Sequence, residues 1–335
     1  MTKDKGRDCM STKDEVLKYL QNHQQYVSGE ELSEQLLVSR TAIWKNINTL
    51  RSSGYEIESV TNRGYRLVFS PNTISPEIIL SGLKTKAMGK NVFCFDSIDS
   101  TNAQAKRQAL AGASNGSLFI AEQQTGGKGR LGRVWASPSG TGLWFSVLLR
   151  PDSLPVQVTN ITLLAGLAVC LSIRKLTKAP AMIKWPNDIV IGGKKVCGIL
   201  TEMAAEIDRI EYVVVGIGIN VNTENFPEEL SVKATSLRVE CGKPVARVEL
   251  LQEILSEFER ILSDYTDRPE AIFAEYKTLC VSLNRTVGFV RNKEPLTATA
   301  VDISPAGELV VRCGNGSLIS INSGEVTVQG IYGQT

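Results

Sequence analysis

Apolar residues recur at helical spacing in three sets near the start of the chain: Val16, Leu17 and Leu20; Leu32, Leu36 and Leu37; Ile43, Ile47 and Leu50. Each set falls on one face of a 3.6-residue period, which predicts three short helices. Ser28 with Glu31 three residues on marks one helix start, and Ser39 directly before Arg40 marks another, because a hydroxyl there can accept from the unsatisfied amides of the first turn. Gly54 is placed to end the third helix. Beyond it Tyr55 to Val60 and Tyr65 to Phe69 read as a hairpin around Asn62-Arg63-Gly64. Three helices and a hairpin are the pattern of a winged helix-turn-helix. Pro71 and Pro76 then bracket a short polar stretch that reads as a linker.

From Val92 onward short apolar runs (Val92 to Phe95, Ser117 to Ala121, Leu143 to Leu149, Tyr212 to Ile217) alternate with helical stretches such as Val156 to Leu176, the signature of a mixed α/β core. Arg247 to Tyr265 and Pro269 to Cys280 have helical periodicity, with Leu250, Ile254, Phe258, Ile261 and Leu262 on one side. After Leu283 come five strand-like runs, Thr286 to Val290, Thr297 to Val301, Leu309 to Arg312, Leu318 to Ile321 and Val326 to Val328. Turns at Asn292-Lys293, Pro305-Ala306-Gly307 and Gly314-Asn315-Gly316 separate them. A small β-barrel is expected, serving either as a structural cap or in ATP or carrier binding. The division is 1–70 winged helix, 71–76 linker, 77–282 central domain and 283–335 C-terminal domain, an α+β multidomain chain.

At 335 residues the chain exceeds what one core usually serves. Hydrophobic residues make up 42% and charged residues 21%, the balance of an ordinary globular protein. No uninterrupted apolar run reaches the length of about 18 residues that a membrane helix needs, and Met1 to Asp14 carries no apolar signal core. The expectation is a cytoplasmic protein without membrane contact. Seven scattered cysteines (Cys9, Cys94, Cys170, Cys197, Cys241, Cys280, Cys313), odd in number and without CxxC pairs, argue against disulfides and zinc and read as small core residues. The single histidine, His23, sits in a helical segment and reads as a surface residue, so a Ser-His-Asp triad and a His-rich metal site are excluded. Catalysis must come from Lys, Arg, Asp and Asn.

Residues 1–70 hold ten Lys/Arg against nine Asp/Glu, but residues 39–70 hold five against two. The face of the third helix opposite Ile43, Ile47 and Leu50 carries Arg40, Thr41, Lys45 and Asn48, beside the cap Ser39, and Arg63 stands at the hairpin tip. Cations and amides on one helix face suit phosphates and base edges in a major groove. The other reading is a winged helix used for protein contacts.

In the central domain Gln123-Gln124-Thr125-Gly126-Gly127-Lys128-Gly129-Arg130-Leu131-Gly132-Arg133 follows an apolar strand. Glycines interleaved with cations make a loop whose amides can approach an anion. A P-loop needs Ser or Thr after the lysine, and Gly129 follows Lys128. Gly216-Ile217-Gly218-Ile219-Asn220 lacks the third glycine of a dinucleotide fingerprint, and either glycine set could serve close strand packing. A second cluster, Lys184-Trp185-Pro186-Asn187-Asp188 followed by Gly192-Gly193 and Lys194-Lys195, looks like site residues displayed on a hairpin.

In order, Asp99-Ser100-Thr101-Asn102, the glycine-arginine loop, Lys184-Trp185-Pro186-Asn187-Asp188, Gly198-Ile199-Leu200-Thr201-Glu202 and Gly216-Ile217-Gly218-Ile219-Asn220 resemble the motifs of biotin protein ligases. The winged helix ahead of them resembles the bifunctional ligase/repressor group. Lys128 stands where the family loop usually has arginine, which keeps the charge and loses the planar fork. The resemblance implies a class II synthetase-like catalytic domain, an SH3-like C-terminal barrel and a two-step reaction. Biotin and ATP, with Mg2+, give biotinyl-5'-AMP, and a lysine of a biotin carboxyl carrier protein then takes the biotinyl group. Because carboxylate and triphosphate are both anionic, their approach needs cations, and Arg130 and Lys184 fit that role. By family position Ser100, Thr101, Asn102 and Gln124 would bond biotin, and Lys128, Gly129 and Arg130 would order over biotin and phosphate. Trp135 and Asn220 would face the nucleotide, Gly198 and Gly218 would belong to the same cofactor-binding set, Lys195 would contact phosphate, and Asp188 would orient the incoming amine. No protein metal ligand is implied. The resemblance also implies an adenylate-bound homodimer on operator DNA. A lipoate-type protein ligase and a non-enzymatic ligand-sensing winged-helix regulator are the alternative readings.

Overall fold

The computed structural model describes residues 12–23, 25–52, 55–69, 74–151, 158–206, 210–291, 293–322 and 326–333. Cys9, Gly54, Asn292, the linker residues 71–73 and the expected helix start at 156–157 lie outside the described residues. The chain divides into two compact units, Met1–Leu83 and Lys84–Thr335.

The first unit holds helices α1 (Thr12–Gln21), α2 (Gly29–Leu36) and α3 (Arg40–Ser52), the hairpin β1 (Glu56–Val60) and β2 (Gly64–Phe69), and helix α4 (Pro76–Gly82). Ser28 caps α2 by accepting from Glu31 N, and Ser39 caps α3 by accepting from Ala42 N at 3.1 Å. Val16, Leu17, Leu20, Leu32, Ile43, Ile47 and Leu50 form one buried core with Tyr55 and Ile57, as the periodicity requires. Pro76 is the first residue of α4, capped by Ser75, and Ile78 packs on the winged-helix core. The compact unit therefore extends to Leu83, with Ser75 and Pro76 belonging to α4 and its cap.

The second unit is built on a seven-stranded sheet. Its elements in order are β3 (Val92–Ile98), α5 (Thr101–Leu110), β4 (Leu118–Gln124), a 3-10 turn (Arg130–Gly132), β5 (Gly142–Leu149), α6 (Val158–Thr177), β6 (Met182–Lys184), β7 (Asp188–Ile191), β8 (Lys194–Ala205) and β9 (Ile210–Asn220). Short helices α7 (Glu228–Ser231) and α8 (Leu237–Cys241) precede α9 (Arg247–Asp267) and α10 (Pro269–Leu279). The strand order is β3-β4-β5-β9-β8-β7-β6, parallel between β3 and β4 and antiparallel elsewhere. Every residue of β5 is buried, so both sheet faces are covered. On one face α5 sets Ala105 and Ala109 against Phe119, Leu148 and Val214. On the other, α6 crosses with Gly166 close to Ile183 and Ile199, and Thr162 Oγ1 donates to Thr201 Oγ1 at 2.8 Å. Among the described residues α6 is the one helix long and apolar enough to cross a membrane, and it is two-thirds buried in this core.

Strands β10 (Thr286–Arg291), β11 (Glu294–Ile303), β12 (Leu309–Arg312), β13 (Leu318–Ile321) and β14 (Thr327–Val328) form a five-stranded antiparallel sheet in the order β13-β12-β11-β10-β14. Its turn at Pro305–Gly307 packs against the seven-stranded layer. Trp185 Nε1 donates to Gly307 O at 3.0 Å, and Asn160 Nδ2 donates to Pro305 O at 3.2 Å. Cys170, Cys197 and Cys280 are buried as expected, whereas Cys94, Cys241 and Cys313 are only partly covered. His23 is exposed and stacks on Tyr19.

Candidate active site

The second unit holds one large cavity of about 760 Å3 on the α5 side of the sheet. Its floor is set by backbone rungs. Trp144 pairs with Gly218, which pairs with Gly198, and Ser146 pairs with Gly216, which pairs with Leu200. Alternation along a strand puts these rungs on one face. A Cβ on Gly218 would lie 2.5 Å from Trp135 Nε1, one on Gly198 2.9 Å from the same indole, and one on Gly216 2.1 Å from Asn102 Oδ1. The glycines thus clear space for Trp135 and Asn102, the close-packing role left open in the sequence. In the loop Gly126 N donates to Asp99 O at 2.8 Å and Gly129 N to Arg133 O at 2.7 Å, so these amides are already engaged.

Ser100 caps α5 at the edge of the cavity, accepting from Ala103 N. Thr101 donates to Gln124 Oε1 through its amide at 2.8 Å and its hydroxyl at 3.1 Å, and Gln124 Nε2 donates to Ser137 Oγ at 2.9 Å. Asn102 is tied by three protein bonds: Ser146 Oγ donates to its Oδ1 at 2.6 Å, and its Nδ2 donates to Glu202 Oε2 at 2.8 Å and Leu200 O at 3.2 Å. Sequence reading missed Ser137 and Ser146, which carry no local motif, and quoted Glu202 only as the end of a family motif, without a role. Asp99, just before the cap, is held well below the ordinary carboxylate range, at about 2, by the Arg107 guanidinium and the Ser100 amide.

The cationic wall comes from β6 to β8 and the glycine loop. Arg130 Nη1 donates to Asn187 Oδ1 at 3.0 Å, which brings loop and hairpin together. Asn187 Nδ2 is anchored on Ile199 O at 2.9 Å. Lys184 is buried and donates to Val326 O at 3.0 Å, with its Nζ 5.2 Å from the centre of the Tyr332 ring. Lys195 Nζ meets Asp188 Oδ1 at 2.6 Å and lies 5.2 Å from the Trp135 ring centre. Tyr332 donates to Asp188 Oδ2 at 2.6 Å, and its phenol is pushed far above its ordinary value by burial and by the Asp188 charge. Asn220 donates to Thr235 O at 3.2 Å at the other end of the cavity. Lys128, Gly129, Arg130 and Trp135 all line it. The structure therefore gathers every cavity residue named from sequence around one space and adds Tyr332 and Val326 from the C-terminal sheet and tail. Behind it, buried Arg247 grips Glu122 through two bonds of 2.8 and 3.0 Å and Gly142 O at 3.0 Å, fixing the ends of β4 and β5 that carry the loop.

In the first unit, Thr41, Lys45 and Arg63 are exposed and Asn48 is partly so. Arg40 pairs with Glu30 at 2.8 Å. Two of the five cations in this region serve the fold instead: Arg51 bonds Ile57 O and the Asn48 side chain, and Arg66 pairs with Glu58 at 2.8 Å. Trp44, absent from the sequence-based set, stands 58% exposed on the same helix face.

Three family models match. Residues 94–220 match the biotin/lipoate A/B protein ligase family, 12–66 an HTH domain and 282–328 the biotin protein ligase C terminal domain. The chain is 41% identical to the bifunctional ligase/repressor BirA of Bacillus subtilis (strain 168), over 91% of this chain and 94% of that protein. It is 46% identical to the protein of the same name from Bacillus spizizenii over 76% of this chain and 78% of that one. Among solved structures, the biotin protein ligase from Aquifex aeolicus in complex with biotin and ATP covers 72% of this chain and 99% of its own length, at TM-score 0.64 and 31% identity.

Proposed function

This chain belongs to the family of bifunctional ligase/repressors, and from that premise we propose that its cavity joins biotin to ATP and passes the biotinyl group to a carrier protein, while its winged helix binds operator DNA. A biotin carboxylate oxygen attacks the α-phosphorus, the bond to the bridging oxygen breaks, and pyrophosphate leaves with that electron pair. A lysine amine of the biotin carboxyl carrier protein then attacks the carbonyl of biotinyl-5'-AMP, an amide forms, AMP departs and the amine proton goes to solvent. The observation that carries this reading is the convergence of Arg130, Lys184 and Lys195 on one cavity whose single carboxylate, among the described residues, is Asp188. Two anions can approach only where preorganised cations take up the charge.

Arg130 and Lys184 would neutralise the reacting carboxylate and phosphate, and Lys195 would leave Asp188 for phosphate. Gln124, Ser100 and Thr101 line the end of the cavity where donors and acceptors can meet an apolar bicyclic urea. Asn102 would act by holding the floor, since its bonds are made within the protein. Trp135, packed close over Gly198 and Gly218, would face the purine, with Asn220 beyond. Lys128 and Gly129 would close over the adenylate. Among the described residues no group of three or more His, Cys, Asp and Glu is placed to hold a metal ion; Mg2+ would enter with ATP and supply charge neutralisation at its phosphates.

Incubation with ATP, magnesium and a biotin carrier domain, with either biotin or lipoate, read by mass, tests the reading. A mass gain with biotin supports it. A gain with lipoate alone points to the lipoate-type ligase, and no gain with either to a ligand-sensing regulator. For the first unit, Ser39, Arg40, Thr41, Lys45, Asn48 and Arg63 would face DNA, the adenylate-bound homodimer would span a two-part operator in the cytoplasm, and carrier protein would compete with dimerisation. Operator affinity at fixed salt should rise with biotin plus ATP and fall when carrier is added. Equal affinity in all three states refutes the switch.

A further inference from the structure

The last described residues fold back into the cavity. Ile331 is buried and donates its amide to Val328 O at 3.1 Å, Tyr332 N donates to Gly193 O at 2.9 Å, and the chain turns there with Tyr332 at φ 60°. A non-glycine residue in the left-handed region is uncommon and stays there only when its surroundings hold it. What this turn delivers is a phenol between the two functional hairpin ends, its hydroxyl on Asp188 Oδ2 and its ring under Lys184 Nζ. Tyr332 lies beyond the C-terminal family model, which stops at residue 328.

We infer that Tyr332 is a positioning residue for biotinyl transfer: by filling Asp188 Oδ2 with a neutral donor it leaves Oδ1, the oxygen paired with Lys195, as the only exchangeable acceptor. Oδ1 pairs with Lys195 at 2.6 Å. A phosphate that draws Lys195 away frees that oxygen alone, because the phenol keeps the other and fixes the carboxylate plane. The oxygen so released is the one that can accept an N–H of the incoming lysine amine and orient its lone pair toward the mixed anhydride. Without the hydroxyl, the carboxylate can rotate and offer either oxygen, and the amine loses its single docking direction. A chain of donor, carboxylate and substrate amine gives geometric control without any proton passing through Tyr332, whose burial keeps the phenol protonated.

This inference rests on the ligase reading, and the test separates the two. Transfer is measured from preformed biotinyl-5'-AMP to a biotin carrier domain for wild type, Tyr332→Phe, Asp188→Ala and the double variant. The phenylalanine ring preserves the packing under Lys184. Tyr332→Phe should lower kcat on the order of tenfold, the weight of one hydrogen bond to a charged group, with KM for the carrier within about twofold. In the Asp188→Ala background the same change should cost nothing further, since the residue it acts through is gone. Additive losses, a rise in KM with kcat intact, or an unaffected Tyr332→Phe each overturn the inference while leaving the ligase reading standing. A wild type that transfers no biotin overturns both.

Discussion

Replacing Gly216 by alanine tests whether the floor of the cavity is held by close approach or by backbone freedom. Gly216 pairs with Ser146 and Leu200 in the middle of the sheet, and its φ lies outside the left-handed region. Backbone entropy alone would therefore favour alanine by about 0.4–1 kcal/mol. Sterics oppose it. The added Cβ would sit 2.1 Å from Asn102 Oδ1, 2.8 Å from its Cγ and 2.9 Å from its Nδ2, closer than real Cβ contacts come. Asn102 cannot swing aside freely, because it is buried and tied to Ser146, Leu200 and Glu202. Overpacking of this kind costs about 1–3 kcal/mol, and giving up two of the three bonds adds roughly 0.5–1.5 kcal/mol each. The net loss is on the order of 2–5 kcal/mol, a fall in Tm of roughly 10 °C for a unit of this size. Urea unfolding and calorimetric titration with biotin measure both consequences, and biotin affinity should drop with stability because Thr101 and Gln124 hang from the same corner. A Gly216→Ala protein with stability within about 0.5 kcal/mol of wild type and unchanged biotin binding would refute the close-approach argument.

Arg130→Ala should leave the fold intact and weaken retention of the adenylate by about 1.5–3 kcal/mol, measured as its dissociation rate, since a charge-assisted pair to phosphate is lost. Lys184→Ala should depress ATP–pyrophosphate exchange more deeply, and unchanged exchange would remove it from the mechanism. A chain starting at Lys84 should fold and exchange pyrophosphate but lose specific operator binding in a mobility assay, because Leu83 closes the first compact unit. Asp99→Asn should lose part of the acid stability. A carboxyl held at about 2 when folded, against about 3.9 when unfolded, contributes stability that is present above the higher value and disappears as pH falls through the lower one. Urea melts between pH 5 and pH 2 should show a flatter acid limb in the variant, discounted for the solvent exposure of the pair.

The winged helix was legible because every device in it is local: apolar spacing, the Ser28 and Ser39 caps and the turn at Gly64 all act within a few residues. The cavity was legible only in its motifs, whose order named Lys184, Asp188, Lys195 and the glycine loop. Their partners were invisible. Tyr332 reaches Asp188 across 144 positions, Lys184 reaches Val326 across 142 and Arg247 reaches Glu122 across 125, and no local pattern signals such pairs. The glycines illustrate the converse. Their sequence left open a weak nucleotide fingerprint or close strand packing, and the steric clearance that Gly198, Gly216 and Gly218 provide depends on which side chain lies across from them. Helix α4 was hidden for a related reason: a proline at the first turn of a helix reads like a proline in a linker until Ile78 is seen packed on the core.

Helix α6 has a consequence for how the chain is made. Its chief neighbours are β6 to β9, α9 and α10, all of which follow it in sequence. During synthesis an apolar helix long enough to pass for a membrane span must therefore wait, uncovered, while the chain grows from residue 177 to residue 267. At about 5–20 residues per second that interval is on the order of ten seconds. Nascent chains of this protein should accordingly be clients of ribosome-associated chaperones through residues 158–177, and slowing translation downstream of that helix should lower the yield of folded enzyme more than slowing it after α9.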